Sequence, residues 1–78
     1  MKRNNKGIKL VGKRIKELRL AQKVSQSVLS YEAGIPREQL SRIERGEVNT
    51  TLNSLFAISK ALCVHPKDLF DFNYPVEK

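Results

Sequence analysis

The sequence predicts an all-α fold, a compact five-helix domain in which the second and third helices form a helix-turn-helix. Three observations predict it. Apolar residues recur at helical spacing along the chain, and no strand-like alternation is long enough to build a sheet. Helix punctuation separates these stretches: Ser25 and Thr51 are N-cap residues, Gly34 and Gly46 are stops, and Pro36 and Pro66 suit first helical positions. Residues 25 to 46, SQSVLSYEAGIPREQLSRIERG, then read as two short helices joined by a tight turn.

Residues 1–7 are polar and basic and are expected to form a flexible arm. From Ile8 or Lys9 to Gln22 a first helix fits, because Val11, Ile15 and Leu18 recur at i, i+4 and i+7 and Ala21 extends the stripe. The second helix runs from Gln26 to Ala33 and the third from Pro36 to Arg45. Leu29 and Ala33 share one face, as do Leu40 and Ile43, and small Ser30 permits the two helices to cross closely. After the polar loop Glu47–Thr50, Thr51 caps a fourth helix whose stripe is Leu52, Leu55, Phe56, Ser59 and Leu62. Cys63 stands where helices often end in a left-handed glycine, which implies modest strain. Val64 to Phe70 reads as a short fifth helix with Leu69 and Phe70 inward, and His65 as a cap or surface residue. The domain is expected to span 8–72, leaving 73–78 as a tail.

At 78 residues the chain is one small domain, near the size at which a single core suffices, and a partner subunit would help. One cysteine excludes an intramolecular disulfide and suits a reducing cytoplasm. The basic start is not followed by the apolar run of a signal peptide, and no stretch is long enough to span a membrane. The net charge is +7, and its distribution is uneven. Residues 1–23 hold nine Lys and Arg against Glu17 alone, a balance of +8, and the remainder carries six basic and seven acidic residues, or −1. Such a field favours a polyanion. The apolar stripe of the basic helix is needed for the core, so nucleic acid fits better than a membrane surface.

With Leu40 and Ile43 turned inward, the third helix presents Arg37, Glu38, Ser41, Arg42 and Arg45. Guanidinium groups bond bidentately to guanine edges, and a helix of this size fits the DNA major groove. Read alone, this face suits a solvated helix surface equally well; the charge distribution favours the groove.

Four segments carry a family resemblance: VGKRIKELR in the first helix, Ser-Gln followed by Leu and Ala-Gly in the second, LSRIERG in the third and LFAISKAL in the fourth. In this order and spacing they resemble the lambda repressor and Cro-like helix-turn-helix family, often called the XRE family, over roughly residues 8 to 72. The resemblance implies a sequence-specific double-stranded DNA-binding regulator, a homodimer on an inverted repeat with the third helix in the major groove. Short chains of this pattern resemble restriction-modification controllers, Cro-like phage regulators and compact regulators of mobile elements.

By position, the resemblance assigns base reading to Arg37, Glu38 and Arg42, with Gln39 and Ser41 as neighbours. Gln26, with Ser25 before it, falls at the phosphate-binding start of the second helix, where free N–H groups and the helix dipole also favour an anion. Arg45, Asn49 and Thr50 lie near a loop that meets the backbone. Arg19 and Glu44 match a structural ion pair. A carboxylate at Glu38 faces DNA at a cost unless it accepts from a cytosine amino group or orients Arg42 or Arg37. Lys23, Cys63 and Pro36 depart from the family pattern, the first two where glycine is frequent and Pro36 where a hydroxyl cap is frequent. Dimer contacts are expected around Val64, Phe70, Phe72 and Tyr74.

Two other classes follow less well from the residues. A protein-interaction module on the same scaffold, antitoxin- or coactivator-like, calls for an apolar third-helix face. An enzyme calls for clustered chemistry, and one His, one Cys and scattered carboxylates offer neither a metal site nor a nucleophile with its base. No cofactor, metal or small-molecule ligand is expected.

Overall fold

The computed structural model describes residues 1–76. Helix α1 spans Asn5–Ala21, α2 Gln26–Ala33, α3 Arg37–Glu44 and α4 Leu52–Ala61, and a 3-10 helix spans Pro66–Phe70. Among the described residues there is no strand. Ile15, Leu29, Leu40, Ile43, Ile58, Leu62 and Leu69 form the buried core, one or more from each element.

The crossing of α1 on α3 is set by Gly12. A Cβ there would lie 2.1 Å from the Ile43 carbonyl oxygen, so only glycine lets the two backbones touch. The α2–α3 turn is built from local signals. Ser25 Oγ accepts from Val28 N–H at 3.1 Å, and Gly34 takes φ 72°. The Ile35 N–H then reaches back to the Ser30 carbonyl at 3.0 Å, which closes the end of α2. Ser30 is buried and donates its hydroxyl to the Ser27 carbonyl. Pro36, expected at the first helical position, is instead the cap residue, with φ −60° and ψ 141°. It offers no side-chain acceptor, so α3 starts without a cap hydrogen bond.

Four further expectations are corrected. The arm does not extend to residue 7: Asn4 Oδ1 accepts from Gly7 N–H at 2.8 Å, and this cap starts α1 at Asn5. Arg3 Nη2 donates to the Glu47 carbonyl at 2.9 Å, and Asn4 Nδ2 donates to Tyr74 Oη at 2.6 Å. Domain contacts therefore reach from Arg3 to Tyr74. Ala21 is exposed although Arg19 in the same turn is buried, because position 21 has drifted off the inward stripe of Val11, Ile15 and Leu18. On α4 the buried residues are Ser54, Ile58 and Ser59, with Leu62 buried at its C-cap, whereas Leu52 and Phe56 are 71% and 56% exposed. That helix is apolar on most of its circumference, so spacing alone does not choose the inner face. The fifth helix is a five-residue 3-10 helix, capped by His65 and Asp68 through reciprocal side-chain bonds to the backbone.

Cys63 adopts φ 56°, the left-handed conformation anticipated from its position, and Lys23 adopts φ 58° at the end of α1. Both carry a Cβ where glycine is preferred.

Candidate nucleic-acid interface

Because Leu40 and Ile43 anchor one side of α3, Arg37, Glu38, Arg42 and Arg45 are exposed on the other, with Gln39 and Ser41 half-buried between. No apolar side chain interrupts this face. The three arginines are held differently. Arg37 makes no ion pair among the described residues. Arg42 Nη2 bonds to Glu38 Oε1 at 2.9 Å, one helical turn back.

Arg45 is saturated. Its Nε donates to Glu47 Oε2 at 2.7 Å, Nη2 to Glu47 Oε1 at 3.3 Å and Nη1 to Ser41 Oγ at 2.9 Å. The bond from Arg45, reinforced by the charges of Arg45 and Arg42 and opposed by slight desolvation, holds the Glu47 carboxyl below its ordinary range. Arg45 was expected at a phosphate; here its Nε and Nη2 face Glu47.

At the start of α2, Ser25 Oγ already caps Val28, while the N–H groups of Gln26 and Ser27 have no partner among the described residues. Gln26 Nε2 donates to Glu44 Oε1 at 3.0 Å. Glu44 is buried and bidentate to Arg19, at 2.7 Å from Nε and 3.0 Å from Nη2, and Arg19 Nη1 also donates to the Val24 carbonyl at 2.9 Å. The helix with the expected phosphate site is thus tied to α1 and α3 through one carboxylate.

Two shallow depressions flank α3. One is lined by Gln26, Arg37, Glu38, Ser41 and Arg45, the other by Pro36, Glu38, Gln39, Arg42 and Val48 to Thr51. The expected base-reading residues therefore lie between the start of α2 and the loop before α4. Asn49 is exposed in that loop, but Thr50 Oγ1 is buried and without a partner among the described residues, so its hydroxyl does not face outward.

The expected dimer residues separate. Val64 packs against the core, Phe72 is half-buried, and Tyr74 is tied to Asn4, leaving Phe70 as the more open ring at 52% exposure. A groove lined by Ile8, Val11, Leu52, Leu55, Phe70 and Phe72 runs beside it. The sequence reading missed Leu52 and Phe56 as surface groups and Gly12 as the contact of α1 with α3. The Gly within an otherwise regular helical stripe was the available signal for the second.

Among the described residues, no three of His, Cys, Asp and Glu gather to hold a metal ion, and no helix is long and apolar enough to cross a membrane.

An uninterrupted polar α3 face, buttressed by α2 and seated on α1, defines a helix-turn-helix DNA-binding regulator of transcription. The HTH_3 helix-turn-helix family matches residues 15–69, and the chain belongs to it. Its sequence is 44% identical over 64 residues to control protein C.BamHI of Bacillus amyloliquefaciens, covering 81% of this chain and 79% of that protein. The fold is similar to the restriction-modification controller protein C.AhdI of Aeromonas hydrophila, with a TM-score of 0.79 and 33% identity over 81% of this chain and 96% of that one. It is also similar to the controller C.Esp1396I, solved as a tetramer in complex with its natural 35 base-pair operator, with a TM-score of 0.76 and 34% identity over 82% of this chain and 84% of that one.

Proposed function

We propose that this chain is a transcriptional regulator of the restriction-modification controller type, which acts in the cytoplasm by binding an inverted-repeat operator as a homodimer. The observation that carries the reading is the α3 face: it is polar along its whole exposed length, it contains three arginines, and it lies between an open helix N-terminus and an exposed loop. A protein-interaction module on this scaffold would expose apolar side chains there. Arg37 and Arg42 read base edges from the groove, while the backbone N–H groups of Gln26 and Ser27 and the side chain of Asn49 hold phosphates on either side. Lys9, Lys13 and Lys16 on the exposed side of α1 add to the attraction for the backbone.

The apolar surface lies elsewhere. Leu52, Phe56 and Phe70 form the dimer face in this reading, since two half-sites about 34 Å apart require a two-fold contact away from α3. No cofactor or small-molecule ligand takes part.

The test is binding to a random pool of duplex DNA followed by titration of the selected site with salt. Each neutralised phosphate contributes about −0.9 to the slope of log K against log salt, so a dimer gives a slope of several units. Arg37→Ala flattens base preference at the cost of about 1 to 3 kcal/mol, and Asn49→Ala weakens all duplexes alike. A flat salt response, or an unchanged selected motif in Arg37→Ala, overturns the reading.

A further inference from the structure

The α3 face carries two arginine–carboxylate pairs that differ in what they leave open. Arg45 spends all three of its nitrogens on Glu47 and Ser41, and Glu47 spends both oxygens on Arg45. The Glu38–Arg42 pair is single: Nη2 meets Oε1 at 2.9 Å, while Arg42 Nε and Nη1 and Glu38 Oε2 have no side-chain partner among the described residues. Glu38 also lines both depressions beside α3, so it stands on the crest of the face.

We propose that Glu38 and Arg42 act as one composite reader of a single G·C base pair, with Arg42 donating to guanine N7 and O6 while Glu38 accepts from the cytosine amino group. The inference rests on the reading of α3 as the groove-facing helix. Across the major-groove edge a G·C pair presents acceptor, acceptor, donor. The ion pair presents donor, donor, acceptor. An A·T pair offers N7, then the N6 amino group, then O4 and a methyl, which sets a guanidinium N–H against a donor and a carboxylate against an acceptor. A reversed C·G pair places the cytosine amino group under the guanidinium. A carboxylate entering the phosphate field is destabilised, and Arg42 together with the cytosine N–H supplies the compensation. Arg37, with no carboxylate partner, reads guanine without requiring this cytosine contact.

The groove-facing amino hydrogen can be removed without breaking Watson–Crick pairing, because N4-methylcytosine pairs with its methyl turned into the groove. The experiment takes the duplex selected by the wild-type chain, substitutes N4-methylcytosine at each cytosine of the half-site in turn, and measures affinity for wild type, Glu38→Ala and Arg42→Ala. One cytosine per half-site is expected to lower wild-type affinity about tenfold or more. In Glu38→Ala that ratio collapses to within about twofold, since the lost acceptor is worth roughly one such factor. Arg42→Ala loses the preference for guanine at the same base pair. Glu38 is exposed and outside the core, so its alanine variant tests recognition rather than folding. An unaltered ratio in Glu38→Ala, or a sensitive cytosine whose guanine Arg42→Ala still prefers, overturns the composite reader while leaving α3 as the recognition helix. Absence of any selected duplex with the wild-type chain overturns both.

Discussion

Glu44→Ala removes the carboxylate on which three donors converge: Arg19 Nε at 2.7 Å, Arg19 Nη2 at 3.0 Å and Gln26 Nε2 at 3.0 Å. Arg19 is 7% and Glu44 6% exposed, so the guanidinium left behind has lost its counter-charge without gaining water. Among the described residues, its one remaining partner is the Val24 carbonyl. Breaking a buried ion pair from one side costs about 3 to 5 kcal/mol. A domain of 78 residues has a total stability of about 4 to 12 kcal/mol, so this variant is expected to lose about a quarter or more of it.

Urea unfolding followed by circular dichroism at 222 nm, a wavelength set by the helical backbone, measures the loss as a shift in midpoint at constant slope. The double replacement Arg19→Met with Glu44→Leu removes both charges together and is expected to recover most of it, because apolar groups of similar volume often replace a buried pair without net cost. The loss in Glu44→Ala should also change little between low and high salt, since a buried pair is poorly screened. A loss under about 1 kcal/mol, the range of exposed ion pairs, would refute the argument that this pair is desolvated.

Cys63→Gly relieves a left-handed residue whose Cβ costs roughly 1 to 2 kcal/mol, against about 0.4 to 1 kcal/mol of added freedom in the unfolded chain. The net gain of about 0.5 kcal/mol should raise Tm by roughly 2 to 4 °C in thermal unfolding; an unchanged or lower Tm contradicts the strain at φ 56°. Leu52→Asp combined with Phe56→Asp is expected to give a folded monomer in equilibrium sedimentation, with weakened operator binding, because both side chains lie outside the core. A persistent dimer moves the interface away from α4.

The parts of the fold legible in the sequence are those governed by near neighbours. Ser25 and Thr51 announce α2 and α4 because their hydroxyls need only a backbone N–H three residues on, and Gly34 announces a left-handed turn for want of a Cβ. The outward face of α3 was legible too, since Leu40 and Ile43 leave few choices in a helix of eight residues. What escaped depended on distant chain. On α4, residues 52, 55, 56, 57, 58, 61 and 62 are all apolar, and which of them face inward is decided by α2 and the 3-10 helix packing against it. At the N-terminus, Asn4 is a cap signal three residues before Gly7, which reads as a break, and the bond from Asn4 to Tyr74 joins residues 70 positions apart.

The same division explains why the side-chain partners of the candidate site residues were not legible. Arg45 is closed by Glu47 only after Gly46, at φ 73°, folds the chain back over the end of α3. Gln26 meets Glu44 across the α2–α3 turn, and the close approach of α1 to α3 at Gly12 goes with Arg19 reaching the same carboxylate. Two helices of eight residues are too short to persist alone in water, so their relative orientation must come from what they pack against. Here the start of α2 is fixed to the last residue of α3 by a side chain whose other partner belongs to α1. The N–H groups at the start of α2 and the exposed side chains of α3, proposed to meet phosphates and bases, are consequently held in one frame by the core, rather than by the turn between them. Gln26 thus links the start of α2 to the buried pair, and, if the proposed DNA contacts hold, loosening that pair is expected to disturb the spacing between phosphate and base contacts before it unfolds the domain.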